Sequence, residues 1–137
     1  MATISTTYLG DLRTEITHVQ SGNKVTTDAP TDNQGKGEFI SPTDMLSASL
    51  GSCMLTIMGI SAKAHGFTID GTKLEITKIM ATEPRRVSEI DVKIILPKIS
   101  YTNSQKRMIE AAAKSCPVAH SLHPDIKQVF SYVYFDN

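Results

Sequence analysis

The sequence predicts one globular domain that contains both β-strands and α-helices. Its 137 residues are 40% hydrophobic and 20% charged, and a chain of this length and composition can bury a substantial core. Short segments rich in β-branched or aromatic residues occur at both ends of the chain, and a long uncharged segment lies between them. The first pattern is typical of strands and the second of a buried helix.

The first thirty residues predict an antiparallel meander. Thr3 to Leu9 and Leu12 to Val19 carry the β-branched and aromatic residues that favour strands, and Gly10-Asp11 provides a turn between them. Ser21-Gly22-Asn23 provides the next turn, after which Lys24 to Thr27 predicts a third strand. The polar segment from Asp28 to Gly37, rich in Asp, Pro, Asn, Gln and Gly, predicts a loop.

A long helix is predicted next. Ser41-Pro42-Thr43-Asp44 indicates its start, because Ser can cap, Pro suits the first helical position and Asp can complete a capping box. Met45 to Ala62 contains no charged residue, and Gly66 favours a left-handed helix end. We expect this helix to be buried on almost all sides and packed closely against another element. Its length approaches that of a membrane span, but small polar residues interrupt it, which favours a core helix.

The second half of the chain predicts further strands and two shorter helices. Alternating apolar residues predict strands over Lys73 to Met80 and Val87 to Leu96. Ser104 to Ser115 has the helical period, and Pro117 to Leu122 predicts a short helix that begins at proline. Val129 to Phe135 predicts a closing strand.

The charge balance argues against nucleic-acid and membrane partners. Lys and Arg together number 14, as do Asp and Glu, so the formal net charge is zero and no basic stripe occurs. The first thirty residues lack the continuous apolar core of a signal peptide, so we expect a cytoplasmic protein, in which a permanent disulfide is unusual. The glycines and carboxylates form no nucleotide or glycosidase motif, and no cofactor is predicted.

Cys53 and Cys116 are the only cysteines, and their settings differ. Cys53 lies near the tenth position of the long helix, too far from its N-terminus for the helix dipole to stabilise a thiolate strongly. Cys116 precedes Pro117 at the expected start of a short helix, where backbone N–H groups favour a thiolate. Each could instead be a packing residue, Cys53 in the core and Cys116 as a helix cap.

Arg13 is the candidate to provide the positive charge that a reactive Cys53 needs. A guanidinium stays charged and can hold both a thiolate and a polar oxygen substrate, although Arg13 could equally be a solvated strand residue. A metal site formed by Cys116 with His120 or His123 is a further alternative. Their spacing is not a standard zinc pattern, so no metal is predicted.

Four motifs, in this order, resemble the OsmC/Ohr family: Gly10-Asp11-Leu12-Arg13-Thr14, Ser41-Pro42-Thr43-Asp44-Met45-Leu46, Ala48-Ser49-Leu50-Gly51-Ser52-Cys53 and Cys116-Pro117. The resemblance spans nearly the whole chain and implies a single domain over residues 1–137. It implies an α+β fold in which curved antiparallel sheets wrap two long central helices in an intertwined homodimer. Two active sites would then lie at the subunit interface.

The resemblance also implies a thiol-dependent peroxidase that acts on organic hydroperoxides and, secondarily, hydrogen peroxide in a stress response. Cys53 would be the peroxidatic cysteine, Cys116 the resolving cysteine, and Arg13 the residue that stabilises the thiolate and orients the peroxide. A Cys53 sulfenic acid would condense with Cys116 to a disulfide, which an external dithiol would reduce.

One position departs from the family pattern. Many members carry Glu where this chain has Thr43, and that Glu holds the arginine. Glu38 and Asp44 are the acidic residues that could orient Arg13 instead. Because Thr43 provides no charge, a second hypothesis is a noncatalytic OsmC-like binding protein that holds an apolar small molecule at the dimer interface.

Overall fold

The computed structural model of the chain describes residues 1–135 and divides into two compact units, Met1–Leu46 and a second that begins at Ser47. The described elements comprise two three-stranded sheets and three α-helices, so the predicted α+β class is confirmed. In chain order they are β1 (Ile4–Gly10), β2 (Arg13–His18), β3 (Lys24–Asp28), α1 (Pro42–Ala64), β4 (Lys73–Ala81), β5 (Arg86–Ile95), α2 (Asn103–Lys114), α3 (Pro117–Ser121) and β6 (Lys127–Val133).

The first unit contains an antiparallel sheet in the order β1-β2-β3, as the meander predicts. In the β2–β3 pairing, Thr17 lies opposite Lys24 and Arg13 lies opposite Asp28. Strand β1 is exposed along almost its whole length, whereas the end of β3 is buried at Thr27 and Asp28. The sheet therefore buries its polar end and leaves apolar side chains of β1 in solvent.

Helix α1 begins and ends with the capping motifs that the sequence predicts. The Asp44 backbone N–H donates to Ser41 Oγ at 3.1 Å, and the Ser41 N–H donates to Asp44 Oδ2 at 3.5 Å, which together form a capping box. At the other end Gly66 has φ +75°, and the Phe67 N–H reaches back to the Ala62 carbonyl at 3.0 Å. That bond and the left-handed glycine form a Schellman motif.

Only one face of α1 is buried. The buried residues repeat at helical spacing, and they are Ser47, Leu50, Gly51, Met54, Met58 and Ala62. The opposite face is exposed at residues spaced by four along the helix, which are Ser52, Thr56 and Ile60. The prediction that α1 is buried on almost all sides is therefore wrong for the single chain, because the core of its own chain covers only one face.

Among the helices of residues 1–135, α1 alone is long and apolar enough to cross a membrane. Core helices of soluble proteins share that length and composition, and the buried face of α1 belongs to a packed core. The structure therefore favours the predicted core helix.

The second unit contains a mixed sheet in the order β4-β5-β6. Strands β4 and β5 pair antiparallel, but β5 and β6 pair parallel, so the expectation of antiparallel sheets is wrong for this pair. The chain between β5 and β6 includes α2 and α3, and such a long helical connection brings the strand back in the same direction. The inward side chains of β5 form the core with α1 and α2, and they are Val87, Ile90, Val92 and Ile94.

Candidate functional site

The first unit contains one candidate cluster, an arginine cluster formed by Arg13, Asp28, Glu38 and Phe39. Arg13 Nε donates to Asp28 Oδ1 at 2.7 Å, and Arg13 Nη2 donates to Asp28 Oδ2 at 2.9 Å. Such a two-bond pair between guanidinium and carboxylate is stronger and more directional than a single contact. The direct cross-strand pairing of Arg13 with Asp28 places the two side chains on the same face of the hairpin.

Asp28 is held as a carboxylate by its partners. The hydrogen bonds from Arg13 lower the pKa of Asp28, against the opposing effect of burial, and a bond from the Glu38 backbone N–H at 3.1 Å acts in the same direction. The same pair raises the pKa of Arg13. Only 2% of the Asp28 side chain is exposed, so the ion pair has one buried partner.

Two further residues surround the guanidinium. Glu38 Oε1 lies 3.5 Å from Arg13 Nη2, but 59% of its side chain is exposed. The Arg13 guanidinium carbon lies 4.7 Å from the centroid of the Phe39 ring, a cation–π distance. The structure thus brings Glu38, one of the two predicted acids, into contact with Arg13, and it places Asp44, the other, in the capping box of α1.

Asp28 is the site residue that the sequence analysis missed. The predicted third strand ends at Thr27, so Asp28 was assigned to the loop. A signal was present, because a hairpin that pairs Thr17 with Lys24 across the Ser21-Gly22-Asn23 turn also pairs Arg13 with Asp28 four residues further.

The second unit contains the other candidate cluster, the thiol pair Cys53 and Cys116. Both cysteines are free; Cys53 is half-buried on α1 and Cys116 is fully buried. Cys116 is the N-cap of α3, as predicted, and its Sγ accepts a hydrogen bond from the Ala119 N–H at 3.3 Å. The side chains of Cys53 and Cys116 lie near each other, so the structure brings the two predicted redox residues together.

The pKa of the Cys116 thiol is raised. Burial is the largest cause, the Ala119 amide opposes it, and the hydrogen bond and charge of Cys53 raise the pKa further. The prediction that the helix start makes Cys116 the better placed thiolate is therefore wrong, because burial outweighs the amide. Cys116 is favoured as a neutral thiol.

Arg13 belongs to the first unit and the thiol pair to the second. The approach of Arg13 to Cys53 therefore stays a prediction. Among residues 1–135, no group of three or more His, Cys, Asp or Glu side chains has the arrangement to hold a metal ion. His123 Nδ1, part of the metal alternative, instead lies 3.0 Å from the Asp125 backbone N–H, which donates to it.

The sequence of the chain matches the model of a known protein family. A profile described as OsmC-like protein matches residues 35–129, a segment that contains both cysteines and Thr43. The chain belongs to the OsmC-like family. A search of curated protein sequences gave no match.

Solved structures of other OsmC-like proteins have the same fold. A protein of Psychrobacter arcticus 273-4, named as a candidate osmotic stress induced and detoxification response protein, is 50% identical to this chain with a TM-score of 0.93, covering 97% of this chain and 96% of that one. An organic hydroperoxide resistance protein OsmC from Legionella pneumophila is 12% identical, with a TM-score of 0.75 and coverage of 96% and 97%.

The organic hydroperoxide resistance protein OhrB of Bacillus subtilis is 14% identical, with a TM-score of 0.71 and coverage of 96% and 98%. At such identities the last two likenesses establish the fold alone. They confirm the OsmC-like architecture of this chain.

Proposed function

We propose that this OsmC-like protein is a thiol-dependent peroxidase that reduces organic hydroperoxides in the cytoplasm, with hydrogen peroxide as a secondary substrate. Family membership supports a role in peroxide-related stress. The observation that carries the proposal is the proximity of the Cys53 and Cys116 side chains, one half-buried and one fully buried.

In the first step Cys53 is the nucleophile. Its thiolate attacks the terminal oxygen of the hydroperoxide, so an S–O bond forms and the O–O bond breaks. The alkoxide takes up a proton and leaves as alcohol, and the sulfur becomes a sulfenic acid. The half-buried position of Cys53 suits this role, because a substrate must reach its sulfur and Cys116 is enclosed.

In the second step Cys116 attacks the Cys53 sulfenic acid. The S–S bond forms, the S–O bond breaks, and water leaves with the proton of the Cys116 thiol. An external dithiol then reduces the disulfide by two thiol exchanges and is itself oxidised. The buried neutral thiol of Cys116 supports its assignment as the second rather than the first sulfur to react.

Arg13 is assigned the electrostatic role. Its guanidinium stabilises the Cys53 thiolate and holds the peroxide oxygen that becomes alkoxide. This assignment requires Arg13 to approach Cys53 in the functional protein, and we propose that the functional protein is a homodimer. The bidentate ion pair with Asp28 supports a fixed guanidinium rather than a solvated strand residue.

The test is single-turnover oxidation of the reduced protein by cumene hydroperoxide, followed by quenching and mass spectrometry. We expect Cys53→Ser to slow peroxide consumption by more than about 1,000-fold, because the nucleophile is lost. Cys116→Ser should consume one equivalent of peroxide and stop at a sulfenic acid that dimedone traps.

Cys53→Ser with undiminished peroxide consumption would overturn the proposal. The rival is an OsmC-like protein that binds an apolar molecule without catalysis. It would show no turnover in the wild type, and apolar ligands would stabilise wild type and Cys53→Ser equally. The missing acid at Thr43 motivates that rival, and Asp28 weakens it because Asp28 provides Arg13 with a counter-charge.

A further inference from the structure

We propose that Asp28 is the positioning residue for Arg13, the carboxylate that fixes which edge of the guanidinium is available to the reaction. The inference rests on the proposed peroxidase function, because it concerns the arginine assigned to that site. Asp28 acts only through Arg13, and no contact of Asp28 with substrate is required.

The two hydrogen bonds fix the plane and direction of the guanidinium. Asp28 engages the edge formed by Nε and Nη2, and Glu38 lies near the same Nη2. Among the described residues, the two hydrogen bonds to Asp28 and the Glu38 contact of the guanidinium use Nε and Nη2. The Nη1 donors are therefore the ones left for a thiolate or a peroxide oxygen.

Asp28 is itself held firmly. It lies on a strand directly opposite Arg13, and its Oδ2 also accepts the Glu38 backbone N–H. A buried carboxylate that accepts several hydrogen bonds has one favoured orientation, and this orientation fixes that of the guanidinium bound to it. Glu38 lacks these properties, because its side chain is mostly exposed and its contact with Arg13 is 3.5 Å long.

Two other residues near the start of α1 are less suited to orient Arg13. Asp44 Oδ2 accepts the Ser41 N–H at the start of α1, and Thr43 has no charge to offer. In many family members a Glu at the position of Thr43, at the start of the helix, holds the arginine. In this chain Asp28, on strand β3, holds it instead.

The experiment compares Asp28→Asn in the wild-type and Arg13→Met backgrounds. Asparagine keeps the size and an acceptor for the Glu38 N–H, but it loses the charge and one acceptor for Arg13. We expect Asp28→Asn to lower kcat/KM for cumene hydroperoxide by on the order of 100-fold, because a misplaced group costs about that much. In the Arg13→Met background it should cause no further loss.

The matched control is Glu15→Gln. Glu15 forms the other cross-strand ion pair of the same hairpin, with Lys24 at 3.3 Å, and its substitution should leave kcat/KM unchanged within about twofold. Asp28→Glu, which keeps the charge, should retain more activity than Asp28→Asn. Equal losses from Asp28→Asn in both backgrounds, or a higher rate in Asp28→Asn, would overturn the inference.

A second readout separates this inference from the proposed function. The rate of Cys53 alkylation by iodoacetamide, measured in a Cys116→Ser background, depends on thiolate stabilisation but not on peroxide chemistry. Asp28→Asn should slow alkylation only where Arg13 is present. Absence of peroxide turnover in the wild type would refute the peroxidase function but not the positioning role. A rate of Cys53 alkylation that Asp28→Asn leaves unchanged would refute the positioning role.

Discussion

At Cys116, burial and a helix N-terminus act on the same thiol in opposite directions. The amide of Ala119 donates to the sulfur, as expected at an N-cap, yet full burial raises the pKa more than the amide lowers it. A resolving cysteine that stays neutral is protected from peroxide until a sulfenic acid forms beside it. In the proposed mechanism, the same burial should make the attack of Cys116 slow at neutral pH.

We therefore predict that the proposed disulfide-forming step accelerates with pH beyond the range of an ordinary cysteine. A raised pKa means that the thiolate fraction of Cys116 is still below half at about pH 8.5, where an ordinary cysteine is half ionised. The measurement is rapid-quench mass spectrometry of disulfide formation after one equivalent of peroxide. A rate profile whose midpoint lies at or below about pH 8.5 would contradict the raised pKa.

The individual residues of the site were predictable to different degrees. Cys53 and Cys116 stand out because they are the only thiols and their local contexts differ. Asp28 did not stand out, because its importance comes from a cross-strand contact and not from its neighbours in sequence. The direction of the pKa shift of Cys116 could not be predicted from the sequence either, because the degree of burial depends on the complete fold.

At the scale of elements, α1 and β4 pack closely because Gly51 has no side chain. A Cβ atom at Gly51 would lie 2.5 Å from Ile76 Cδ1 and 2.8 Å from Leu74 Cδ1. The same helix contains Gly59, where a Cβ would meet nothing within 4 Å. The two glycines therefore provide a comparison between close packing and open space within one helix.

Gly51→Ala should be less stable than Gly59→Ala by about 1 kcal/mol, the low end of the usual cost of overpacking, because the two contacting atoms are the ends of flexible side chains. Alanine at Gly59 should add up to about 1 kcal/mol through helix propensity alone. The free energy of unfolding from urea denaturation measures both. Equal values for the two variants would show that Leu74 and Ile76 move aside without cost.

The elements themselves were largely predictable, because capping residues and hydrophobic periodicity are local. The start of α1 at Pro42 and the cap of α3 at Cys116 agree with the structure, and most strand ends agree within one or two residues. The direction of β6 was not predictable from its own residues, because it depends on the path of the chain through α2 and α3. The exposed face of α1 was missed for a related reason, since an uncharged sequence does not reveal which neighbour covers it.

At the scale of the whole molecule, several large apolar side chains remain in solvent. Ile60 on α1 is 62% exposed, and strand β1 exposes Ile4, Tyr8 and Leu9. Exposed apolar surface of this kind marks interaction sites in soluble proteins. It supports the proposed homodimer, in which a second copy covers the outer face of α1.

We predict a particle of about 30 kDa in solution, twice the chain mass of 15.0 kDa. Ile60→Glu should shift the protein toward monomer, because a charge would be buried without a partner. Thr77→Glu, at an exposed polar position of β4, is the matched control and should leave the mass unchanged. Light scattering coupled to size exclusion tests both, and a wild-type monomer at micromolar concentration would refute the homodimer.

The pairing of Arg13 with Asp28 makes the length of the connection between β2 and β3 a determinant of the site. Residues Val19–Asn23 are exposed and carry no catalytic group, so such a turn would ordinarily tolerate added residues. One added residue would nevertheless shift the register by one and turn the Asp28 side chain to the opposite face of the sheet. The distance along the chain between the arginine and its carboxylate is therefore constrained as strictly as their identities.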